Sequence, residues 1–156
     1  MMVAHIEREG TAMKVEGILK AKGAAVETVR PDTSVVVAIH KLSSLGIGAL
    51  VVSADGKGVD GIFAERDVVH GLARHGARLL DLVVSDAMSR TVPVCAPTDS
   101  ITAVMAVMTR TRNRHMPVVS GGSLVGLVSI GDLVKNRLDE MELEASILRE
   151  AYIVGR

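Results

Sequence analysis

The chain has 156 residues, 48% of them hydrophobic, and 18 basic side chains balance 18 acidic ones. Zero net charge argues against a general nucleic-acid binder, because phosphate backbones are held by an excess of Lys and Arg. No apolar run approaches the ~20 residues of a membrane span, and the single cysteine, Cys95, cannot form an internal disulfide. We therefore expect a cytoplasmic protein with no membrane or nucleic-acid partner, in which residues 1–13 form a flexible N-terminus.

The sequence contains one pattern of elements twice. Segment 29–35 resembles 95–101, and segment 61–69 resembles 126–134. In chain order, each copy predicts a short helix, a strand ending at a proline, an amphipathic helix, an apolar strand, a glycine-rich turn, a second strand and a helix start. The pattern predicts an α+β fold of two βαββα-type repeats, 14–76 and 80–136, with small sheets packed together because one repeat alone buries too little surface.

Apolar periodicity places the individual elements. Residues at helical spacing predict one amphipathic helix beginning at Val35 and a matching one beginning at Ile101. Apolar runs predict strands at 49–52 and 59–64 in the first copy, and at 115–119 and 124–129 in the second. Cys95 is expected to be a buried strand residue.

The end of the chain predicts a long helix, from about 133 to 153. Its apolar residues alternate at spacings of four and three, the a/d pattern of a coiled coil. At 1.5 Å per residue the helix reaches ~30 Å, more than one small repeat can cover. We expect segment 137–156 to help build a homodimer, the alternative being that the stripe packs on its own repeat. The stripe consists of Val134, Leu138, Met141, Ala145, Leu148 and Tyr152.

The two copies resemble a tandem pair of CBS domains, the modules named after cystathionine β-synthase and also called a Bateman module. The resemblance is carried by 48–52 and 61–67 in the first copy, and by 114–119 and 126–132 in the second. It implies a stand-alone regulatory protein that is not an enzyme. It also implies an adenosine-containing ligand, such as AMP, ATP, NAD or S-adenosylmethionine, bound noncovalently in a cleft between the repeats.

The resemblance further implies which residues form two clefts. The aspartate that ends each S/T-x-x-D motif has the role of holding the ribose hydroxyls, and it maps onto Asp67 and Asp132. The hydroxyl of the motif maps onto Ser129 in the second copy. In the first copy Ala64 stands there instead, a departure that weakens the Asp67 cleft.

The remaining implied positions also differ between the clefts. A carboxylate at Asp99 would repel phosphate, a second reason to favour the Asp132 cleft. Guanidinium forks suit phosphate oxygens, so Arg66 and Arg114, together with His115, are the expected phosphate ligands. Base-binding positions implied for the Asp132 cleft are Ile47, Gly48 and Ala49, with Thr33 and Ala38; for the Asp67 cleft they are Arg114, His115 and Met116, with Asp99 in the place of Thr33.

These residues also have purely structural interpretations. Asp67 and Asp132 can cap helices, His115 can be a packed core residue, and Arg110 and Arg112 can lie in a solvated loop. The alternative function is a structural adaptor with vestigial clefts, whose tail helix recruits an unidentified regulated protein. We expect no zinc site, because the five histidines are scattered along the chain.

Overall fold

The computed structural model describes residues 13–155, so the predicted flexible segment 1–13 lies, apart from Met13, outside the described residues. The α+β architecture and the long C-terminal helix are confirmed. In chain order the elements are α1 (Val15–Lys22), β1 (Thr28–Val29), α2 (Val35–Leu45), β2 (Ala49–Val52), β3 (Gly61–Ala64), α3 (Glu65–His75), a 3₁₀ helix (Gly76–Asp81), α4 (Val84–Ala87), α5 (Ile101–Thr111), β4 (His115–Ser120), β5 (Ser123–Ser129) and α6 (Ile130–Val154).

The strands form one small sheet in each repeat. In the first sheet β1 runs parallel to β2, and β2 pairs antiparallel with β3. In the second sheet β4 pairs antiparallel with β5, and the register shifts between Val118 and Val119. The strand predicted before Pro97 is reduced to a single parallel bridge between Cys95 and Val118. Cys95 is buried as predicted, and burial, helped by the charge of Asp99, raises the pKa of its thiol to about 12.

Each repeat has its own hydrophobic core, but the short helix with which each repeat begins completes the core of the other repeat. Helix α1 contributes Val15, Ile18 and Leu19 to the second core, and α4 contributes Val84 to the first. The rest of the first core consists of Val29, Val35, Ala38, Leu42, Leu50, Val52, Phe63 and Leu79, and the rest of the second of Cys95, Ile101, Val104, Met108, Met116, Val118, Val128 and Leu133.

Backbone hydrogen bonds fix this exchange of helices in the same way on both sides. The amide of Val15 donates to the carbonyl of Asp99 at 3.0 Å, and the amide of Val84 donates to the carbonyl of Thr33 at 2.8 Å. The boundaries 14–76 and 80–136 therefore describe repeats in the sequence, whereas the packing of the cores crosses from one repeat to the other.

Glycine begins the last motif of each repeat because an exchanged segment passes over it. A Cβ atom on Gly126 would lie 2.6 Å from Leu19 Cδ2. A Cβ atom on Gly61 would lie 2.5 Å from the carbonyl oxygen of Ser89. Ser89 also exchanges two backbone hydrogen bonds with Ile62, so this stretch of main chain is held against β3.

We expect Gly61→Ala to lower the free energy of unfolding by about 1–3 kcal/mol, since the added methyl group must displace main chain rather than a flexible side chain. Urea denaturation followed by circular dichroism measures the change. Gly58→Ala is the matched control, because the nearest atom to its Cβ, Asp55 Oδ1, lies 3.8 Å away. Equal stability of the two variants would contradict the interpretation.

No helix within residues 13–155 is long and apolar enough to cross a membrane.

Candidate functional site

A cavity of about 810 Å³ opens between the two repeats. The first repeat supplies the end of β3 and the start of α3, and the second supplies α5, the loop before β4 and the start of α6. The apolar part of the wall consists of Ile62, Val69, Val92, Met108 and Ile130. The charged and polar part consists of Glu65, Arg66, Asp67, Ser89, Thr109, Arg112, Asn113, Arg114 and His115, with Gly48 and Ala64 between them.

Asp67 places a carboxylate in this wall and is only 6% exposed. Its Oδ2 accepts a hydrogen bond from the backbone N–H of Ala64 at 2.8 Å, and its Oδ1 accepts one from Ser89 Oγ at 2.6 Å. A carboxylate has about four acceptor positions. Asp67 therefore keeps acceptor capacity for a ligand in the cavity while its side chain is held in place from two sides.

Arg66 connects the two repeats along the cavity. Its guanidinium donates to the carbonyl oxygen of Arg112 at 2.6 Å and to Asn113 Oδ1 at 3.1 Å. Arg112 ends α5 in the left-handed conformation with φ 56°, where Gly46 ends α2 with φ 62°. A left-handed conformation is costly for a residue with a Cβ atom, and such strain is concentrated at functional sites.

The charges around the cavity favour an anion. Three arginines line it against two carboxylates, those of Glu65 and Asp67. Within the part of the chain that the structure describes, the guanidinium groups of Arg112 and Arg114 have no hydrogen bond or ion pair. Two guanidinium groups are thus available to phosphate or carboxylate oxygens.

His115 lies at the start of β4 beside Gly48. Burial lowers the pKa of its imidazole, and the carboxylates of Glu65 and Asp132 oppose this shift only in part. A lowered pKa favours the neutral ring at pH 7, in which form the imidazole can offer a ligand a hydrogen bond but no positive charge. A Cβ atom on Gly48 would lie 3.1 Å from His115 Cε1, so a glycine at 48 leaves room for the ring.

Asp132, the counterpart of Asp67, does not line this cavity. Ser129 and Asp132 form a full capping box at the start of α6: Ser129 N–H donates to Asp132 Oδ2 at 2.9 Å, and Asp132 N–H donates to Ser129 Oγ at 3.1 Å. Lys22 from the exchanged helix α1 donates to the same Oδ2 at 2.7 Å. A ligand that used Asp132 would have to compete with this lysine.

The Asp132 contacts predict a pH dependence of stability. Burial raises the pKa of its carboxyl, but hydrogen bonds from Lys22 and Ser129 outweigh burial, so the pKa lies below its ordinary 3.8. A depressed pKa contributes stability above pH 3.8 that is lost as the pH falls below it.

We expect Asp132→Asn to lower the free energy of unfolding by about 0.2–1 kcal/mol at neutral pH, because its ion pair with Lys22 is partly exposed. The decrease should be smaller at pH 3. Urea denaturation at both pH values measures this, with Lys22→Met as the matched control. The double variant, Asp132→Asn with Lys22→Met, should have nearly the same free energy of unfolding as Asp132→Asn alone. A loss that does not change with pH would contradict this interpretation.

The structure brings together five of the residues predicted from the sequence: Arg66, Asp67, Gly48, Arg114 and His115 line one cavity. The other predicted positions lie elsewhere. Ala38 is buried in the first core, Met116 in the second, and Ala49 in β2. Ile47 packs against the first core, and the carbonyl of Thr33 accepts a hydrogen bond from the amide of Val84 at the start of α4. Asp99 accepts a hydrogen bond from the backbone of Ala96 and does not line the cavity, so it is not placed to repel an anion there.

Sequence reasoning did not single out Ser89 or Asn113, and it treated Arg112 as a loop residue. A signal for Arg112 was present, because it occupies the position that Gly46 has in the first repeat. Ser89 lies outside every motif, and only the exchange of helices brings it to Asp67. Among residues 13–155, no group of three His, Cys, Asp or Glu side chains is placed to hold a metal ion.

A family model, CBS domain, matches residues 24–74 and 84–139. The chain belongs to the CBS domain family. The crystal structure of the CBS-domain containing protein ATU1752 from Agrobacterium tumefaciens superposes on this CBS pair with a TM-score of 0.77 and 44% identity, covering 80% of this chain and 99% of that one.

Two further proteins that resemble this CBS pair carry CBSX names. The mitochondrial CBS domain-containing protein CBSX3 of Arabidopsis thaliana is 29% identical over 97% of this chain and 78% of its own length. The crystal structure of CBSX2 in complex with AMP has a TM-score of 0.69 and 22% identity, over 82% of this chain and 98% of that one, and shows the shared fold.

Proposed function

We propose that this CBS pair is a regulatory module that binds an adenosine nucleotide in the cavity beside Asp67. The observation that carries the proposal is one cavity between the repeats that combines a buried, oriented carboxylate with two guanidinium groups that have no partner within residues 13–155. A nucleotide needs an acceptor for its ribose hydroxyls and cations for its phosphate, and charge-assisted hydrogen bonds of both kinds are strong.

The cavity also suits the base of an adenosine nucleotide. Its volume of about 810 Å³ accommodates a nucleotide, and its wall includes Ile62, Val92 and Met108, which offer apolar contact to a flat base. Asp67 would accept the ribose hydroxyls, and Arg112 and Arg114 would bind the phosphate. The complex of the relative CBSX2 with AMP supports the same class of ligand.

Our choice between the clefts differs from the preference that the sequence suggested. The Asp132 cleft stays a prediction, but Lys22 already occupies Asp132 Oδ2 at 2.7 Å. The missing hydroxyl at Ala64 is partly replaced by Ser89 Oγ on Asp67. We therefore propose the Asp67 cavity as the stronger site and the Asp132 cleft as a weaker second one.

Binding would act on the arrangement of the two repeats. Arg66 links α3 to the loop before β4, and this loop also carries the proposed phosphate ligands. A ligand that binds one arrangement better than another shifts the balance between them. We propose that the shift is passed on within a homodimer, and that the protein works in the cytoplasm, although the relative CBSX3 is named a mitochondrial protein.

A thermal-shift panel with AMP, ATP, NAD, S-adenosylmethionine and GTP tests the proposal. A ligand that binds only the folded state, at 100 times its Kd, raises stability by about 2.7 kcal/mol. We expect a rise in Tm with at least one adenosine nucleotide, confirmed by calorimetry, and no rise with GTP. No shift with any of the five compounds would favour the adaptor function.

A further inference from the structure

Helix α6 carries an exposed apolar stripe along residues 138–148. Leu138, Met141 and Leu148 are 54%, 51% and 71% exposed. Together with Ala145 they occupy successive a and d positions, with Leu138 and Ala145 at a. An apolar stripe of this length on a charged helix is the surface that a second helix covers in a coiled coil.

We propose that this stripe binds the same stripe of a second copy of the chain, in a parallel, in-register, two-stranded coiled coil. The charges that flank the stripe favour this orientation. In a parallel coil each g residue meets the e residue five positions later on the other helix. Arg137 therefore meets Glu142 of the second copy, and Glu144 meets Arg149 of the second copy.

Both pairs are of opposite charge, and the symmetry of a homodimer doubles them to four ion pairs. Within its own helix Arg137 also contacts Glu140, at 3.0 Å. A guanidinium has five N–H donors, so this contact leaves donors for a second carboxylate.

The antiparallel arrangement with the same apolar layers brings like charges together. It places Glu142 beside Glu142 of the second copy, and likewise Glu144 beside Glu144. Lys135 would face Arg149 of the second copy. Like charges at these flanking positions disfavour the pairing, so the charge pattern selects the parallel orientation.

The opposite face of α6 is a poorer candidate for self-association. It exposes Leu143, Ile147 and Val154. From residue 139 onward, the charged side chains on this face and along its borders are all acidic: Asp139, Glu140, Glu144 and Glu150. Two copies meeting through this face would place acid against acid, whereas the a/d stripe meets with complementary charges.

Cysteine cross-linking of the full-length chain tests the proposal. In a parallel, in-register coil two Ala145→Cys side chains face each other at a Cα separation of about 6 Å, which suits a disulfide. Ile147→Cys on the opposite face is the matched control. The natural Cys95 is buried and its thiol has a pKa of about 12, so it does not compete.

We expect Ala145→Cys to form its disulfide-linked dimer at least about tenfold faster than Ile147→Cys under mild oxidation. Equal rates would overturn the proposal, even if the protein dimerises through its CBS domains. Efficient linking of an Ala145→Cys chain only to a Met141→Cys chain would show the antiparallel orientation and would overturn it as well.

Charge exchange in the Ala145→Cys background supplies the second measurement. Glu144→Arg places an arginine beside Arg149 of the second copy, so it should slow disulfide cross-linking by about three- to tenfold. Adding Arg149→Glu restores opposite charges and should restore the rate. Failure of this rescue, with helix content unchanged by circular dichroism, would contradict the parallel register.

Discussion

Replacing Asp67 with asparagine is expected to weaken adenosine-nucleotide binding by about tenfold or more. The amide keeps the size of the side chain, but it loses the negative charge and one of the two acceptor oxygens. The carboxylate is 6% exposed and is held by Ala64 N–H and Ser89 Oγ, so its place in the cavity is well defined. Isothermal titration calorimetry with AMP and NAD measures the effect.

Asp132→Asn is the matched control, because Asp132 has the same place in the second repeat. We expect that it changes the affinity by less than about twofold. Ser89→Ala, which removes one contact to Asp67 but leaves the carboxylate, controls for local rearrangement and should retain most of the binding. If Asp132→Asn abolished binding and Asp67→Asn did not, the site would be the Asp132 cleft favoured by the sequence.

Phe63→Ala is expected to have the largest effect on stability, a loss of about 3–5 kcal/mol. Phe63 is the one phenylalanine of the chain, it has no exposed surface, and it packs in the first core with Leu50 and Leu79. Removing the ring leaves a cavity that the surrounding side chains can fill only in part. Natural domains are stable by about 5–15 kcal/mol, so the variant should be close to unfolding at room temperature.

Urea denaturation measures this effect, and Phe63→Leu, which keeps most of the volume, should cost about 1–1.5 kcal/mol. Because α1 and α4 are exchanged between the cores, we also expect one cooperative transition in which both repeats unfold together. Two separate transitions, with only one of them shifted by Phe63→Ala, would contradict this coupling.

The local pattern of the sequence predicts the helices and strands well, because the helical and strand periods span only a few residues. The apolar spacing from Val35 predicts α2, the run at Ala49–Val52 is a strand with the same bounds, and the tail helix begins only three residues before its predicted start. The repeated motif also predicts that Asp67 and Arg66 belong to one site. The helix and strand predictions need only local information, because the side-chain periods of about 3.6 and 2 residues are read from close neighbours.

The sequence does not show which distant segments of the chain contact each other. The apolar residues of helix α1 predict a buried face, but their pattern does not indicate that this face packs in the second core. The contact of Lys22 with Asp132 joins residues 110 positions apart. In the sequence, the two clefts differ because Ala64 stands where the second copy has Ser129. In the structure, Ser89 supplies a hydroxyl contact to Asp67, and Lys22 adds a contact to Asp132.

The exchange of α1 and α4 also sets an order of events as the chain is synthesised. Once β3 has left the ribosome, the first core still lacks Val84, so it cannot close until α4 has followed. Helix α1 emerges earliest among the described elements, yet its partners Val128 and Leu133 are almost the last to appear. The apolar face of α1 must therefore stay uncovered, or be sheltered by a chaperone, through most of translation.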